Sequence, residues 1–199
     1  GGVAKLRELI LTLAVQGKLV PQDPDDEPAS VLLQKIRAEK DRLIAEGKIK
    51  RDKPLAEIGD EEKPFELPPG WEWLRLGSTM EMLNGRAFKP SEWMDAGLPI
   101  VRIQNLNNPN ASFNYCDPST VVDKNRIDDG AFLISWSGTP GTSFGAFIWS
   151  RGAAALNQHI FKCVLIGRVF LPEFLRLSIN SQLNVLIAQA QGGVGLQHV

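Results

Sequence analysis

Apolar side chains first recur at helical spacing. Val3, Leu6, Ile10 and Leu13 stand three and four residues apart with Leu9 beside them, which predicts one apolar helical face closed at Gly17. The pattern breaks in "KLVPQDPDDEP", which holds three prolines and four acidic residues. It resumes from Ala29 to Ala45, where Leu32, Ile36 and Leu43, flanked by Leu33 and Ile44, form a second stripe. Asp25 and Asp26 ahead of Pro28 suit a helix start, because carboxylates favour that end and a first-turn proline loses no hydrogen bond. Lys35 and Glu39 pair across one turn on the outer face, and Gly47 is placed to cap the end. Neither helix is long enough to stand alone in water, so both need something to pack on. Lys48 to Glu66 is charged and broken by proline, and reads as a solvated linker over a surface.

The texture changes at "LPPGWEWLRLG", Leu67 to Gly77. From there short apolar runs alternate with Gly, Asn, Asp and Pro turns, predicting strands at Trp73–Leu76, Ile100–Ile103, Ala131–Trp136, Ala146–Trp149 and His159–Ile166. One helix closes the pattern, with Pro172 in its first turn, a stripe of Leu175, Ile179, Leu183 and Leu186, and Gly192-Gly193 as its stop. The expectation is an α+β chain. A helical pair with its linker covers 1–66, and a β-rich domain with a C-terminal helix covers 67–199.

Composition narrows the classes. The chain has 199 residues and a net charge of −1. Residues 1–66 hold 12 basic and 14 acidic side chains, and residues 67–199 hold 10 and 9, so the second part is the more basic. A stand-alone nucleic-acid binder normally carries a clustered basic face. Binding by this chain would therefore need a local patch or charge supplied by a partner. Two cysteines and two histidines are too few for a disulfide framework or a structural zinc site, which suits a reducing cytoplasm. No apolar run is long enough for a membrane helix. Gly1-Gly2-Val3 shows no basic n-region or cleavage site, and reads as an added start.

Catalytic tools are missing from the pattern. "SGTPGTSFG", Ser137 to Gly145, is Gly-rich but lacks the lysine of a phosphate loop. No GxGxxG joins a strand to a helix, so neither a dinucleotide nor a methyl-donor site is indicated. Glu62-Lys63 matches half of a metal-nuclease pattern, without an upstream Asp on a strand. His159 and Cys163, read on one strand, would stand about 13 Å apart, too far for a nucleophile–base pair. Cys163 reads as a small core residue. These signs favour a chain without catalysis or cofactor.

What remains is recognition chemistry. Polar side chains gather in "NGRAFKPSEW" (Asn84 to Trp93), "RIQNLNN" (Arg102 to Asn108), "SWSGTPGTS" (Ser135 to Ser143), "LNQHIF" (Leu156 to Phe161) and "GGVGLQHV" (Gly192 to Val199). Arg pairs bidentately with guanine, and Gln or Asn with adenine. Gly and small hydroxyl groups let backbone approach a phosphate. An ordinary surface turn is the competing explanation for each segment taken singly, and for Gln158 and His159 a structural knot at the start of a buried strand. The candidate DNA contacts are Arg86, Lys89, Arg102, Gln104, Asn105, Asn107, Ser137, Thr139, Gln158 and Gln197.

Several of these stretches resemble one family. "LAVQGKLVPQDPDDEPASVLLQKIRAEKDRLIAEGKIK", Leu13 to Lys50, is similar to the helical segment of the specificity subunits of type I restriction-modification enzymes. "PFELPPGWEWLRLG", Pro64 to Gly77, looks like the start of their target recognition domain. "PIVRIQNL", "DGAFLISWSGTPGTSFGAFIW", "ALNQHIFKC" and "GGVGLQHV" resemble its interior and its exit, in the expected order. The resemblance implies a non-catalytic chain that binds double-stranded DNA, reads one half of a bipartite target, and docks methylation and, through the complex, restriction subunits. A full specificity subunit has two recognition domains, and one is present here. That implies an N-terminal fragment or a half-length subunit, the latter pairing with a second copy to read two half-sites. Two readings compete: a protein-interaction scaffold that binds no DNA itself, and the recognition domain of a fused methyltransferase–nuclease.

Overall fold

The computed structural model describes residues 1–51, 53–138, 144–167, 170–183, 191–193 and 196–198. By compactness the chain divides into a first unit, Gly1–Glu81 with Leu165–Leu171, and a second, Met82–Val164 with Pro172–Val199.

In the first unit, α1 (Gly2–Val15) and α2 (Ala29–Ala45) occupy the two periodic stretches. Gly17 turns the chain out of α1 with φ +67°, where an added Cβ would lie 2.8 Å from both Pro68 and Trp71. Only glycine combines that backbone conformation with that approach. The α2 N-terminus is fixed from a distance, since Ala29 N–H donates to Gly70 O at 2.8 Å. Trp71 Nε1 donates to Gln22 Oε1 at 2.8 Å. Trp73–Leu76, expected as a strand, instead runs irregularly into a 3-10 turn at Leu76–Ser78. Its alternation has another cause. Phe65 meets Trp73 edge-on at 4.8 Å, and Arg75 turns to the preceding segment. The Arg75 guanidinium donates to Ala56 O, to Glu57 O and, in a fork, to both oxygens of Glu62. The linker is thus partly held by one arginine. That pairing, with a further hydrogen bond from Gly59 N–H, draws the Glu62 carboxyl down to about 2.

In the second unit the strands are β1 (Met80–Asn84, of which Met82–Asn84 belong here), β2 (Leu98–Val101), β3 (Asn114–Cys116), β4 (Arg126–Ile127), β5 (Phe132–Ser135), β6 (Ser137–Gly138), β7 (Gly145–Ile148), β8 (Ala154–Leu156), β9 (Ile160–Leu165), β10 (Gln191–Gly193) and β11 (Leu196–His198). They form sheets ordered β1-β9-β5-β7, β3-β2-β8-β4 and β10-β11-β6. The β2–β8 pair is parallel, with Ile100 opposite Ala155 and Val101 opposite Leu156. Its alternation sorts side chains into two apolar clusters. Val101, Ala154 and Leu156 enter one with Leu133 and Ile160; Leu98, Ile100 and Ala155 enter the other with Phe88 and Cys116. Period-two geometry sends neighbours to opposite faces, so this sheet is buried on both. Fully burying a side chain such as Ile100 or Leu133 contributes about 1.5–3 kcal/mol, which locates the stabilising core here.

Two further expectations are corrected. Ile103 does not extend β2 but opens a short helix, α3 (Ile103–Asn107). Asn105 turns the chain there: its Oδ1 accepts Arg102 N–H at 3.0 Å, while its own N–H donates to Arg102 O at 2.8 Å. Gly192 and Gly193 lie in β10 rather than ending a helix, and α4 spans Pro172–Ser181 with Leu175 and Ile179 buried. Leu186, assigned to that stripe, lies outside the described residues. Among the described residues no helix is long and apolar enough to cross a membrane.

Candidate nucleic-acid interface

Backbone hydrogen bonds bring the five polar segments together around Leu156–His159. Arg86 N–H donates to Leu156 O at 3.0 Å, and Gln158 N–H returns a bond to Arg86 O at 2.9 Å. Asn157 N–H reaches Val101 O at 3.0 Å, which sets Arg102 beside the same stretch. Trp136 N–H donates to His159 O at 3.2 Å, and Trp136 Nε1 to Asn84 Oδ1 at 3.3 Å. Ser137 and Gly138 then pair with His198 and Gln197. The junction is tight. A Cβ on Gly85 would fall 2.0 Å from Asn157 O, so a side chain there must displace backbone. His159 sits at φ +72°, a left-handed conformation uncommon outside glycine, with its ring 5.1 Å from that of Trp136.

The arginines divide by what they touch. Arg86 is half-buried, with its guanidinium 3.7 Å from the Phe88 ring centroid and Nη1 on Glu92 Oε1 at 2.7 Å. Glu92 also accepts Lys89 N–H, and that bond, followed by Arg86, holds its carboxyl below the usual range. The Lys89 side chain itself is exposed. Arg102 has no such carboxylate among the described residues. Its guanidinium lies 5.8 Å from the ring of Trp93, which is 40% exposed, and its buried Nε finds no acceptor there. Arg102 is therefore a half-buried cation, backed by an aromatic ring, with no carboxylate partner among the described residues.

Gln104, Asn107 and Gln158 are exposed. Asn107 Nδ2 bonds Ile103 O within its own helix. Asn105 differs, being 3% exposed. Its Nδ2 donates to Ala111 O at 3.3 Å and to Ser112 O at 3.1 Å, so in this conformation the amide braces the loop from inside. Ser137 is likewise buried. Thr139 and most of the Gly-rich loop lie outside the described residues, and Gln197 is placed by backbone register alone. Sequence reading passed over Trp93 and Arg151. An aromatic within a few residues of an Arg or Lys in a polar loop is the signal that marks both, as in "KPSEW" and "WSRG".

Both cysteines are buried thiols. Burial pushes the Cys163 thiol up to about 12 and also raises Cys116, the reverse of what a nucleophile needs. Among the described residues no group of His, Cys, Asp and Glu is arranged to hold a metal ion.

No family model matches the chain. It is similar to the type I restriction enzyme EcoAI specificity subunit of Escherichia coli, with 62% identity over 105 residues, covering 52% of this chain and 18% of that subunit. It is also similar to the EcoEI specificity subunit of the same organism, with 68% identity over 75 residues, covering 38% of this chain and 13% of that one. The chain thus spans less than a fifth of the length of these curated relatives. Among solved structures, an HsdS subunit from Thermoanaerobacter tengcongensis aligns over 92% of this chain and 38% of its own, at 17% identity and a TM-score of 0.47. The type I restriction-modification S subunit from M. genitalium aligns over 68% and 33%, at 14% identity and a TM-score of 0.45. Over the matched stretches, the chain is thus similar to the specificity subunits of type I restriction enzymes.

Proposed function

We propose that this chain is the DNA-reading part of a type I specificity subunit: it binds one half of a split double-stranded target and performs no chemistry itself. The observation that carries this is the junction at Leu156–His159, where five segments far apart in sequence are hydrogen-bonded together. Around it stand Arg102, ring-backed and with no carboxylate partner among the described residues, and the exposed amides of Gln104, Asn107 and Gln158. Such groups on a rigid scaffold match the donors and acceptors of base edges. Arg86 and Lys89 serve the same surface, Arg86 braced by Glu92 and Lys89 toward phosphate. On this reading residues 67–199 form the recognition domain. Residues 1–66 belong to the helical region that docks methylation subunits, with the restriction subunit joining through the complex in the cytoplasm. A half-length subunit would use a second copy for the other half-site.

The test is an electrophoretic shift with a randomised duplex pool, run with and without a methylation subunit. Enrichment of one short motif supports DNA reading. Failure to enrich any sequence in either arm, with the methylation subunit still bound, would leave the protein-interaction scaffold. That rival is favoured by one observation, the exposed Val3, Leu6, Leu9 and Ile10 of α1.

A further inference from the structure

We infer that Arg151 is a positioning residue for base reading: it locks the loop Arg102–Ser112 into the one shape that presents Gln104 and Asn107. The inference rests on the DNA-reading function proposed above and adds to it a residue outside the reading segments. Arg151 packs against two rings that meet edge-on, its guanidinium carbon 4.7 Å from the Phe113 centroid and 4.8 Å from that of Trp149. From that slot its planar fork reaches two carbonyls of the loop. Nη2 donates to Asn105 O, within α3, and Nη1 to Pro109 O at 3.0 Å, just past the helix. Trp149 is 3% exposed and belongs to the apolar cluster around Leu133, so the platform under the arginine is part of the rigid core.

The geometry assigns the two loop ties complementary tasks. Asn105 ties the start of the loop to its end from within, through Arg102, Ala111 and Ser112. Arg151 ties the same loop to the core from outside. Gln104, Asn107, Asn108 and Asn110 are left exposed, each carrying an amide able to read a base edge. Amide recognition needs direction as well as proximity, because a bidentate pair fails when the side chain's root tilts. A lysine could supply charge in the slot but only a point donor. It has no planar face to lay on an aromatic ring and cannot reach both carbonyls with one rigid fork.

The experiment compares wild type, R151A and R151K in the full-length protein, purified with the subunits that co-purify with it, against a randomised duplex pool. Hydrogen exchange over residues 103–112 is followed in parallel. The expected result has two parts. In R151A, amides of the loop exchange at least tenfold faster while those of β5 and β7 keep their protection. Total affinity for the pool stays within about twofold, but the enriched motif loses its preference at one or two positions. R151K recovers loop protection in part and the motif weakly. An unchanged motif in R151A, with wild type enriching one, overturns the inference and leaves the DNA reading standing. The inference also fails if exchange rises equally in β5 and β7, since the role would then be general support. Wild type enriching no motif overturns the DNA reading itself and the inference with it.

Discussion

In Met82–Val164 the side chains of Ile100, Leu133, Leu156 and Ile160 are wholly inaccessible, whereas in Gly1–Glu81 helix α1 buries nothing and α2 buries only Ile36. The second unit is held by apolar area and by strand ladders that need no outside help. The first has fewer buried apolar side chains, Ile36, Met80 and Ile166 among them, and is tied by long-range polar bonds, those of Trp71 to Gln22, Ala29 to Gly70 and Arg75 to Glu62. Its helices carry apolar faces that propensity alone would not keep ordered. The difference separates two uses of hydrophobic patterning. One unit consumes its pattern in its own core, and the other leaves Leu6, Leu9 and Ile10 exposed.

Breaking the second unit should therefore need only one badly placed atom. Gly85→Ala puts a Cβ onto the Asn157 carbonyl, and backbone on both sides resists the shift. Overpacking of this kind costs about 3 kcal/mol, and a thermal melt should show the midpoint falling by several degrees. An unaltered melt would mean the junction is looser than its hydrogen bonds indicate.

Asn105→Ala comes next. It leaves Arg102 N–H and the carbonyls of Ala111 and Ser112 without their partner around a side chain that is itself buried. A loss of about 2–3 kcal/mol is expected from buried groups left unsatisfied, read by urea unfolding. Arg102→Ala should act in the opposite compartment of the comparison. Binding to the enriched duplex should weaken by about 1–3 kcal/mol, the worth of one bidentate base contact. Stability should hold, because among the described residues the buried Nε of the side chain finds no acceptor. Wild-type affinity in that variant would remove Arg102 from the reading surface.

The first unit should respond differently to the same kind of change. Leu6→Ser with Leu9→Ser alters exposed positions, so unfolding should move by no more than about 0.5 kcal/mol. Co-purification with a methylation subunit should fall sharply, and unimpaired assembly would show that α1 docks nothing. The smallest effect concerns the Arg75–Glu62 tie. The folded Glu62 carboxyl titrates near 2, below its ordinary 4.5. Its contribution is therefore complete above about 4.5 and is lost as pH falls toward 2. Proteolytic protection of Leu55–Lys63 should fade over that window in wild type. Glu62→Gln should be less protected at neutral pH and flat across the window.

Local rules were enough for α1, α2, the turns at Gly17 and Gly47 and the cores of β5, β7 and β9, because helical spacing, alternation and glycine stops act over a few residues. The α+β class and the polar character of the candidate segments followed from the same short-range reading. What tertiary structure decided lies in contacts across long stretches of chain. Trp73–Leu76 alternates like a strand, yet Phe65 and the Ala56–Glu62 segment take up its side chains instead of a sheet. Asn105 and Gln104 are neighbours of similar chemistry. Only the fold buries one as a brace and exposes the other, because a side chain's role depends on which carbonyls stand opposite it. Arg86 and Arg102 look equivalent in sequence, and a carboxylate six residues on neutralises the first but not the second. The task of Arg151, as distinct from its presence beside Trp149, could not be read for the same reason: its partners, Asn105 and Pro109, are more than forty residues away. Sequence periodicity determined where most elements form, and the folded chain alone determined which polar groups are used up internally and which stay exposed.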